Sequence, residues 1–159
     1  MAQGVAADGS ARLAAVARRE GAGGLKGAPA DVGATILIID ATALARESVA
    51  KLLESEGYRV IRARNGKEAW SVMHKDTPDL VLLDLIMPEM DGVTFLSLLR
   101  RSTQWKDVPV VVRTGLTDDD KLVGRAWELG VKEVIRKASF RFEDLLRVVK
   151  RYLGERMKD

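Results

Sequence analysis

Five short apolar runs, separated by longer stretches with helical periodicity, are the feature of this sequence that most restricts its fold. The apolar residues within each run are consecutive rather than alternating, which is typical of strands covered on both faces and therefore of a parallel sheet. Because crossovers between parallel strands are right-handed, this alternation predicts an α/β fold with an open sheet and helices on both faces. The runs occupy residues 36–39, 60–61, 80–83, 110–112 and 134–135.

Sequence signals for helix ends divide the intervening stretches into five predicted helices. Asn65 and Glu68 have the spacing of a capping box, and Asp91 is a good N-cap residue. Gly130 and Gly154 stand where helices commonly end. The predicted helices span residues 42–56, 65–75, 92–101, 118–129 and 139–153, so that each follows one apolar run.

The first 34 residues differ in composition from the rest of the chain. They contain 11 Ala, 7 Gly and no aromatic residue, which leaves too little apolar surface to offset the entropy of ordering. We predict a low-complexity, disordered leader over residues 1–34, with one short helix over 10–20, and a folded domain over 35–159. Asp8, Glu20 and Asp31 argue against a transit peptide.

Composition excludes several kinds of function. The chain has no cysteine, so disulfides, thiolate metal sites and cysteine nucleophiles are excluded. It has 26 Lys and Arg against 23 Asp and Glu, a net charge of +3 that gives little support to nucleic-acid binding. Its apolar runs are far shorter than the roughly 18 residues needed to span a bilayer. We therefore expect a cytoplasmic protein without nucleic-acid or membrane partners.

Polar side chains follow four of the five runs at their carboxyl ends, namely Asp40, Asp84, Thr114 and Lys137. The carboxyl ends of parallel strands share one edge of the sheet, where open α/β sheets bind their ligands. Two carboxylates at that edge repel each other unless a cation joins them, and oxygen ligands favour Mg²⁺. A lysine and a hydroxyl nearby suit the oxygens of a phosphoryl group. The pattern predicts a metal-assisted phosphoryl site.

These residues resemble those of bacterial response-regulator receiver domains. The similarity spans about residues 35–153 and is most specific over 78–92, where Asp84 precedes Met87-Pro88 and Asp91-Gly92. The resemblance implies a flavodoxin-like, five-stranded parallel sheet of order 2-1-3-4-5.

The resemblance also implies a role for each residue of the site. Asp84 would be the phosphoacceptor, taking a phosphoryl group from a histidine kinase or phosphotransfer protein. Asp40, Asp84 and the backbone carbonyl of Ile86 would hold Mg²⁺, while Thr114 and Lys137 would contact the phosphoryl group. We expect a stand-alone receiver, a phosphoacceptor rather than a conventional enzyme, that signals by phosphorylation-controlled protein binding. Its downstream target is unknown, and a homodimer through the fourth and fifth helices is left open.

The sequence departs from the family pattern at three positions near the site. Ala41 replaces a second acidic residue, so one metal ligand is missing, and water or Glu89 is a candidate replacement. Ala138 replaces the proline that usually follows the lysine, and Val134 replaces an aromatic residue that takes part in signal readout. The alternative function is therefore a pseudo-receiver, a protein-interaction module that works without phosphorylation. A flavodoxin-type electron carrier is disfavoured, because residues 40–44 do not form a Ser/Thr- and Gly-rich phosphate loop.

Five further side chains invite specific expectations. Arg113 either reaches into the site as an extra cation or snorkels outward, and we favour the outward position. His74 is expected to cap the second helix at its carboxyl end. Trp70 and Trp127 are expected to pack in the core, whereas the context of Trp105 suggests an exposed contact surface.

Overall fold

The computed structural model describes residues 33–139 and 141–158, in which it places five β-strands and five α-helices. The predicted leader and its short helix lie outside the described residues, except for residues 33 and 34. The strands are β1 (Thr35–Ile39), β2 (Arg59–Ala63), β3 (Leu80–Leu83), β4 (Val110–Thr114) and β5 (Glu133–Arg136). The helices are α1 (Ala43–Ser55), α2 (Gly66–Met73), α3 (Gly92–Arg101), α4 (Lys121–Glu128) and α5 (Phe142–Lys158), with a 3₁₀ turn at Lys137–Ser139.

All five strands are parallel, and their order is β2-β1-β3-β4-β5, which confirms the predicted flavodoxin-like sheet. In the register, Ile39 pairs with Leu83 and Leu83 pairs with Val112. The residues that follow β1 and β3 are therefore level with the last residues of β4. This register brings distant parts of the sequence to one edge of the sheet.

Each face of the sheet is covered by its own set of helices, which explains why the apolar runs are continuous. On one face, Leu37 and Leu83 belong to a buried cluster with Phe95 and other residues of α2, α3 and α4. On the opposite face, Ile36 belongs to a second buried cluster with Val149 and other residues of α1 and α5. Neighbouring strand residues thus enter different cores, so both must be apolar.

The helix-start signals act at α2 and α3 largely as predicted. Asp91 Oδ1 accepts the amide of Thr94 at 2.8 Å, and α3 spans the predicted residues. Asn65 Oδ1 accepts the amide of Glu68 at 2.8 Å. The Glu68 carboxylate, however, accepts the amide of Arg64 at 2.7 Å instead of returning to Asn65, so the capping box is shifted by one residue.

The last two helices differ from their predicted bounds. Helix α4 begins only at Lys121, because Asp120 is the residue that caps it, accepting the amide of Leu122 at 2.9 Å. Helix α5 continues through Gly154 to Lys158, so the predicted end was wrong. Glycine ends a helix when its backbone adopts the left-handed conformation, whereas Gly154 keeps a helical backbone.

Neither α5 nor another helix in the described part of the chain is long and apolar enough to cross a bilayer.

Two tryptophans lie where the sequence did not predict them. Trp105 is only 2% exposed, and its Nε1 donates to Thr77 Oγ1 at 3.1 Å. Its ring makes edge contacts with the rings of Trp70 and His74. The connection between α3 and β4 therefore contributes a buried side chain to the hydrophobic core. Trp127 is instead 50% exposed. The prediction for His74 is confirmed, since its Nδ1 lies 2.8 Å from the Trp70 carbonyl oxygen at the end of α2.

Candidate functional site

Two carboxylates and one amine meet at the carboxyl edge of the sheet. The Nζ of Lys137 donates to Asp40 Oδ2 and to Asp84 Oδ2, at 3.1 Å in each case. The amides of the two aspartates extend the sheet ladders by one residue, since Asp40 N donates to the Ala63 carbonyl and Asp84 N to the Ile39 carbonyl. The hydrogen bonds of the sheet therefore fix the backbone positions of both aspartates.

Asp40 is buried and its acceptor positions are largely used. Its Oδ1 accepts the amide of Thr42 at 2.9 Å, and its Oδ2 accepts Lys137 Nζ. Nη1 of Arg113 lies 3.6 Å from the same Oδ2, and Nη1 of Arg46 donates to the Asp40 backbone carbonyl at 2.8 Å. A carboxylate offers about four lone-pair directions, and three neighbours already face this one.

Arg113 points into the site, so the favoured outward position was wrong. Its side chain is 19% exposed, and it lines a small cleft together with both carboxylates, Ile38 and Val49. Sequence alone suggested snorkelling because a charge at the end of a buried strand normally reaches for water. Here the guanidinium of Arg113 pairs with the carboxylate of Asp40 across the end of β3, and this ion pair takes the place of hydration by water.

Asp84 is buried as well, but it makes fewer contacts than Asp40. Its Oδ1 accepts the amide of Ile86 at 3.2 Å and its Oδ2 accepts Lys137 Nζ. Burial raises the pKa of the Asp84 carboxyl above its usual value, and the hydrogen bond and charge of Lys137 oppose that rise. Two lone-pair directions remain for an incoming group.

Thr114 lies at the same edge, at the end of β4. It is fully buried, and its Oγ1 accepts the amide of Leu116 at 3.3 Å. A hydroxyl that accepts one hydrogen bond keeps its own O–H as a donor. Next to it, a Cβ added at Gly115 would meet no heavy atom within 4 Å, which leaves this side of the site open.

The loop after β3 is held against the start of α3 by a very close backbone contact. A Cβ added at Gly92 would lie 2.5 Å from the Asp84 carbonyl oxygen and 2.6 Å from the Leu85 Cα. The Gly92 amide also donates to the Leu85 carbonyl at 3.0 Å. The backbone that carries Asp84 therefore requires glycine at the start of this helix.

A metal site at this edge would have only two acidic side chains. Within the described residues, no group of three acidic or other typical ligand side chains is placed to hold a metal ion, so Glu89 does not replace the acid missing at Ala41. Two carboxylates are still hard oxygen donors of the kind that Mg²⁺ takes from proteins, often with water completing the shell. The donor set of Asp40, Asp84 and a backbone carbonyl therefore fits a divalent cation, although one ligand short.

The raised pKa of Asp84 predicts how the free energy of unfolding changes with pH. The folded chain holds this proton more tightly than the unfolded chain, so that contribution to stability is present at acid pH and is lost as pH rises through the raised pKa. With a chelator present, Asp84→Asn is therefore expected to gain stability relative to the unsubstituted protein as pH rises to neutrality.

Urea unfolding across a pH series measures this difference, and Asp118→Asn is the control because the Asp118 side chain is 77% exposed. If the stability gained by Asp84→Asn relative to the unsubstituted protein shrank toward neutral pH, ionisation of the buried Asp84 carboxyl would not be destabilising the fold.

Comparisons with known proteins agree with this architecture. A family model described as the response regulator receiver domain matches residues 36–150. The phosphate regulon transcriptional regulatory protein PhoB of Pseudomonas aeruginosa is 35% identical over 106 residues, covering 67% of this chain and 46% of that protein. A protein-glutamate methylesterase/protein-glutamine glutaminase of Rhodospirillum rubrum is 36% identical over 134 residues, covering 77% and 36% respectively. The chain thus spans less than half the length of these relatives.

Solved structures are similar over the same region. The chemotaxis protein CheY4 of Vibrio cholerae has a TM-score of 0.70 and 29% identity, covering 76% of this chain and 99% of that one. The Mn²⁺-bound form of response regulator Rcp1 has a TM-score of 0.61 and 27% identity, covering 74% and 89%.

Proposed function

The chain belongs to the response regulator receiver domain family, and from this membership we propose that Asp84 accepts a phosphoryl group from a histidine kinase or phosphotransfer protein. Proteins of this family are signalling phosphoacceptors rather than conventional enzymes. The observation that carries the proposal is the arrangement of Lys137, whose Nζ lies 3.1 Å from both Asp84 and Asp40. A cation shared by two carboxylates is placed to receive a third anionic group.

The proposed transfer uses the carboxylate of Asp84 as the nucleophile. One of its oxygens attacks the phosphorus of a phosphohistidine, a new O–P bond forms and the N–P bond of the donor breaks. The departing ring takes up a proton from solvent, which leaves an acyl phosphate and the free imidazole. In its ionised form a carboxylate needs no general base for this step, because it has no proton to lose. Lys137 spreads the charge of the transferring group, and the O–H of Thr114 donates to one of its oxygens.

A divalent cation completes the proposed site. Asp40, Asp84 and the backbone carbonyl of Ile86 would hold Mg²⁺, which would supply positive charge to the oxygens of the transferring phosphoryl group. Because Ala41 supplies no third carboxylate, we propose that this cation is bound more weakly than a full set of acidic ligands would bind it.

Phosphorylation would act on other proteins through the loop after β4. Thr114 Oγ1 accepts the amide of Leu116, so a hydroxyl that turns toward a phosphoryl group pulls on this loop directly. Val134 cannot act as an aromatic rotor, which leaves the loop and the surface of α4 and α5 as the proposed output. We propose residues 35–159 as the receiver unit, acting in the cytoplasm on a protein target. A homodimer through α4 and α5 is one form that this output could take.

Labelling with acetyl phosphate and Mg²⁺, followed by intact mass measurement, tests the proposed function. The unsubstituted protein is expected to gain about 80 Da, the mass of one phosphoryl group. Asp84→Asn is expected to gain nothing, while Asp118→Asn, which changes an exposed aspartate in the loop after β4, is expected to label normally. Labelling that survives in Asp84→Asn would contradict the assignment.

A pseudo-receiver is the second candidate, and two observations favour it. The acidic group lacks a third member among the described residues, and Lys137 and Arg113 already pair with the carboxylates. In this case the unsubstituted protein would gain no mass at any Mg²⁺ concentration, and protein binding would be the same with and without the donor.

A further inference from the structure

We propose that Arg113 is a built-in counter-cation that sets the divalent-metal affinity of the site by competing with the metal for Asp40. The proposal rests on the proposed function in one respect, because it takes Asp40 and Asp84 to be the metal ligands. It adds a residue that acts on the metal through Asp40, and it can be tested without any phosphoryl donor.

The contact between Arg113 and Asp40 is well placed for a strong effect. Nη1 of Arg113 lies 3.6 Å from Asp40 Oδ2, and the two side chains are 19% and 5% exposed. At such low exposure, solvent and salt screen the attraction less than they screen a surface ion pair. Asp40 Oδ1 already accepts the amide of Thr42, so the cations face the oxygen that remains.

The charges of the four side chains that form these ion pairs balance without a metal. Asp40 and Asp84 contribute two negative charges, and Lys137 and Arg113 contribute two positive ones. A divalent cation bound by the same oxygens would add two more positive charges close to the Lys137 ammonium and the Arg113 guanidinium. Its binding therefore carries the cost of weakening at least one existing ion pair.

Arg113 is the cation that a metal would displace. Lys137 bridges both carboxylates at 3.1 Å, whereas in the described part of the chain Arg113 pairs with Asp40 alone, and at the longer distance. The residues before Arg113 in β4 are apolar, Val110 to Val112. A methionine at this position therefore suits the strand, and it removes the guanidinium group with its charge and its N–H donors.

Direct metal titration of the purified protein tests the proposal. Free Mn²⁺ is followed by electron paramagnetic resonance as it is added to the unsubstituted protein, Arg113→Met, Arg113→Lys and Arg136→Met. Removing a like charge a few ångströms from the metal is expected to tighten Mn²⁺ binding on the order of tenfold in Arg113→Met. Arg113→Lys keeps the charge and is expected to stay closer to the unsubstituted protein.

Arg136→Met is the matched control. It makes the same chemical change at the end of the neighbouring strand β5 and alters the net charge equally, but Arg136 pairs with Asp118 and not with Asp40. Its Mn²⁺ affinity is expected to change by less than about twofold, because that exposed charge is screened by solvent.

The outcomes separate this proposal from the proposed function. Equal Mn²⁺ affinity in Arg113→Met and Arg136→Met would overturn the role of Arg113, and normal acetyl phosphate labelling of the unsubstituted protein would leave the proposed function standing. Tighter binding in Arg113→Met alone would support the role of Arg113, even if the unsubstituted protein took no label. Absence of Mn²⁺ binding in all four proteins would overturn both the metal site and the role of Arg113.

Discussion

Lys137→Met is expected to slow phosphoryl uptake from acetyl phosphate by roughly 100-fold, the effect of removing one preorganised group that stabilises developing charge. The ammonium of Lys137 contacts both Asp40 and Asp84, so it is the positive charge nearest to the proposed acceptor oxygens. Methionine is also unbranched and only slightly shorter than lysine, and it removes the charge. The rate is measured by intact mass at successive times in saturating Mg²⁺.

Two further measurements show whether the loss is local. Lys132→Met removes an exposed lysine at the opposite end of β5 and is expected to label at the normal rate. Without metal, Lys137→Met is also expected to lose about 2 kcal/mol of unfolding free energy, because two buried carboxylates lose their shared cation. A variant that is destabilised but still labels at the normal rate would restrict Lys137 to a structural role.

Gly92→Ala is expected to lower the free energy of unfolding by about 3 kcal/mol, at the upper end of the usual cost of overpacking. The added Cβ would meet the Asp84 carbonyl oxygen at 2.5 Å and the Leu85 Cα at 2.6 Å. Both are backbone atoms, so relief requires moving helix α3 away from the loop that carries Asp84. The better helix propensity of alanine, worth about 1 kcal/mol, is too small to compensate.

Gly124→Ala is a matched control in another helix. Gly124 lies within α4, and a Cβ there would meet no heavy atom within 4 Å. The substitution is expected to raise stability by about 0.5–1 kcal/mol through helix propensity alone. Urea unfolding of both variants gives the comparison, and equal stability changes would mean that the close contact at Gly92 is easily relieved.

The sequence was most informative where local chemistry and burial agree. Continuous apolar runs required two covered faces, and the strands follow those runs, while their order was implied by the family resemblance. Asp91 caps α3 at its amino end, so the start of that helix was predictable. Gly154 gave a false end for α5, because glycine permits a left-handed turn without requiring one. Trp105 was misjudged because its loop context gave no sign of the packing partners that bury it.

The candidate site was predictable to the extent that strand ends determine it. Asp40, Asp84 and Lys137 lie far apart in sequence, yet each follows a parallel strand, and the register brings all three into contact. The direction of Arg113 was not predictable in this way. A long charged side chain at a strand end can extend to water or pair with a buried group of opposite charge. For Arg113 the outcome depends on the three-dimensional position of Asp40 rather than on the residues beside Arg113 in the sequence.

The position of the phosphoryl group on the chain decides whether Asp84 is the acceptor. After labelling with acetyl phosphate and Mg²⁺, borohydride reduces an aspartyl phosphate to homoserine, and peptide mass spectrometry then identifies the altered residue. We predict homoserine in place of Asp84 and at no other position. Homoserine at Asp40 or elsewhere, or an unaltered Asp84 in protein that carries the added phosphoryl mass, would contradict it.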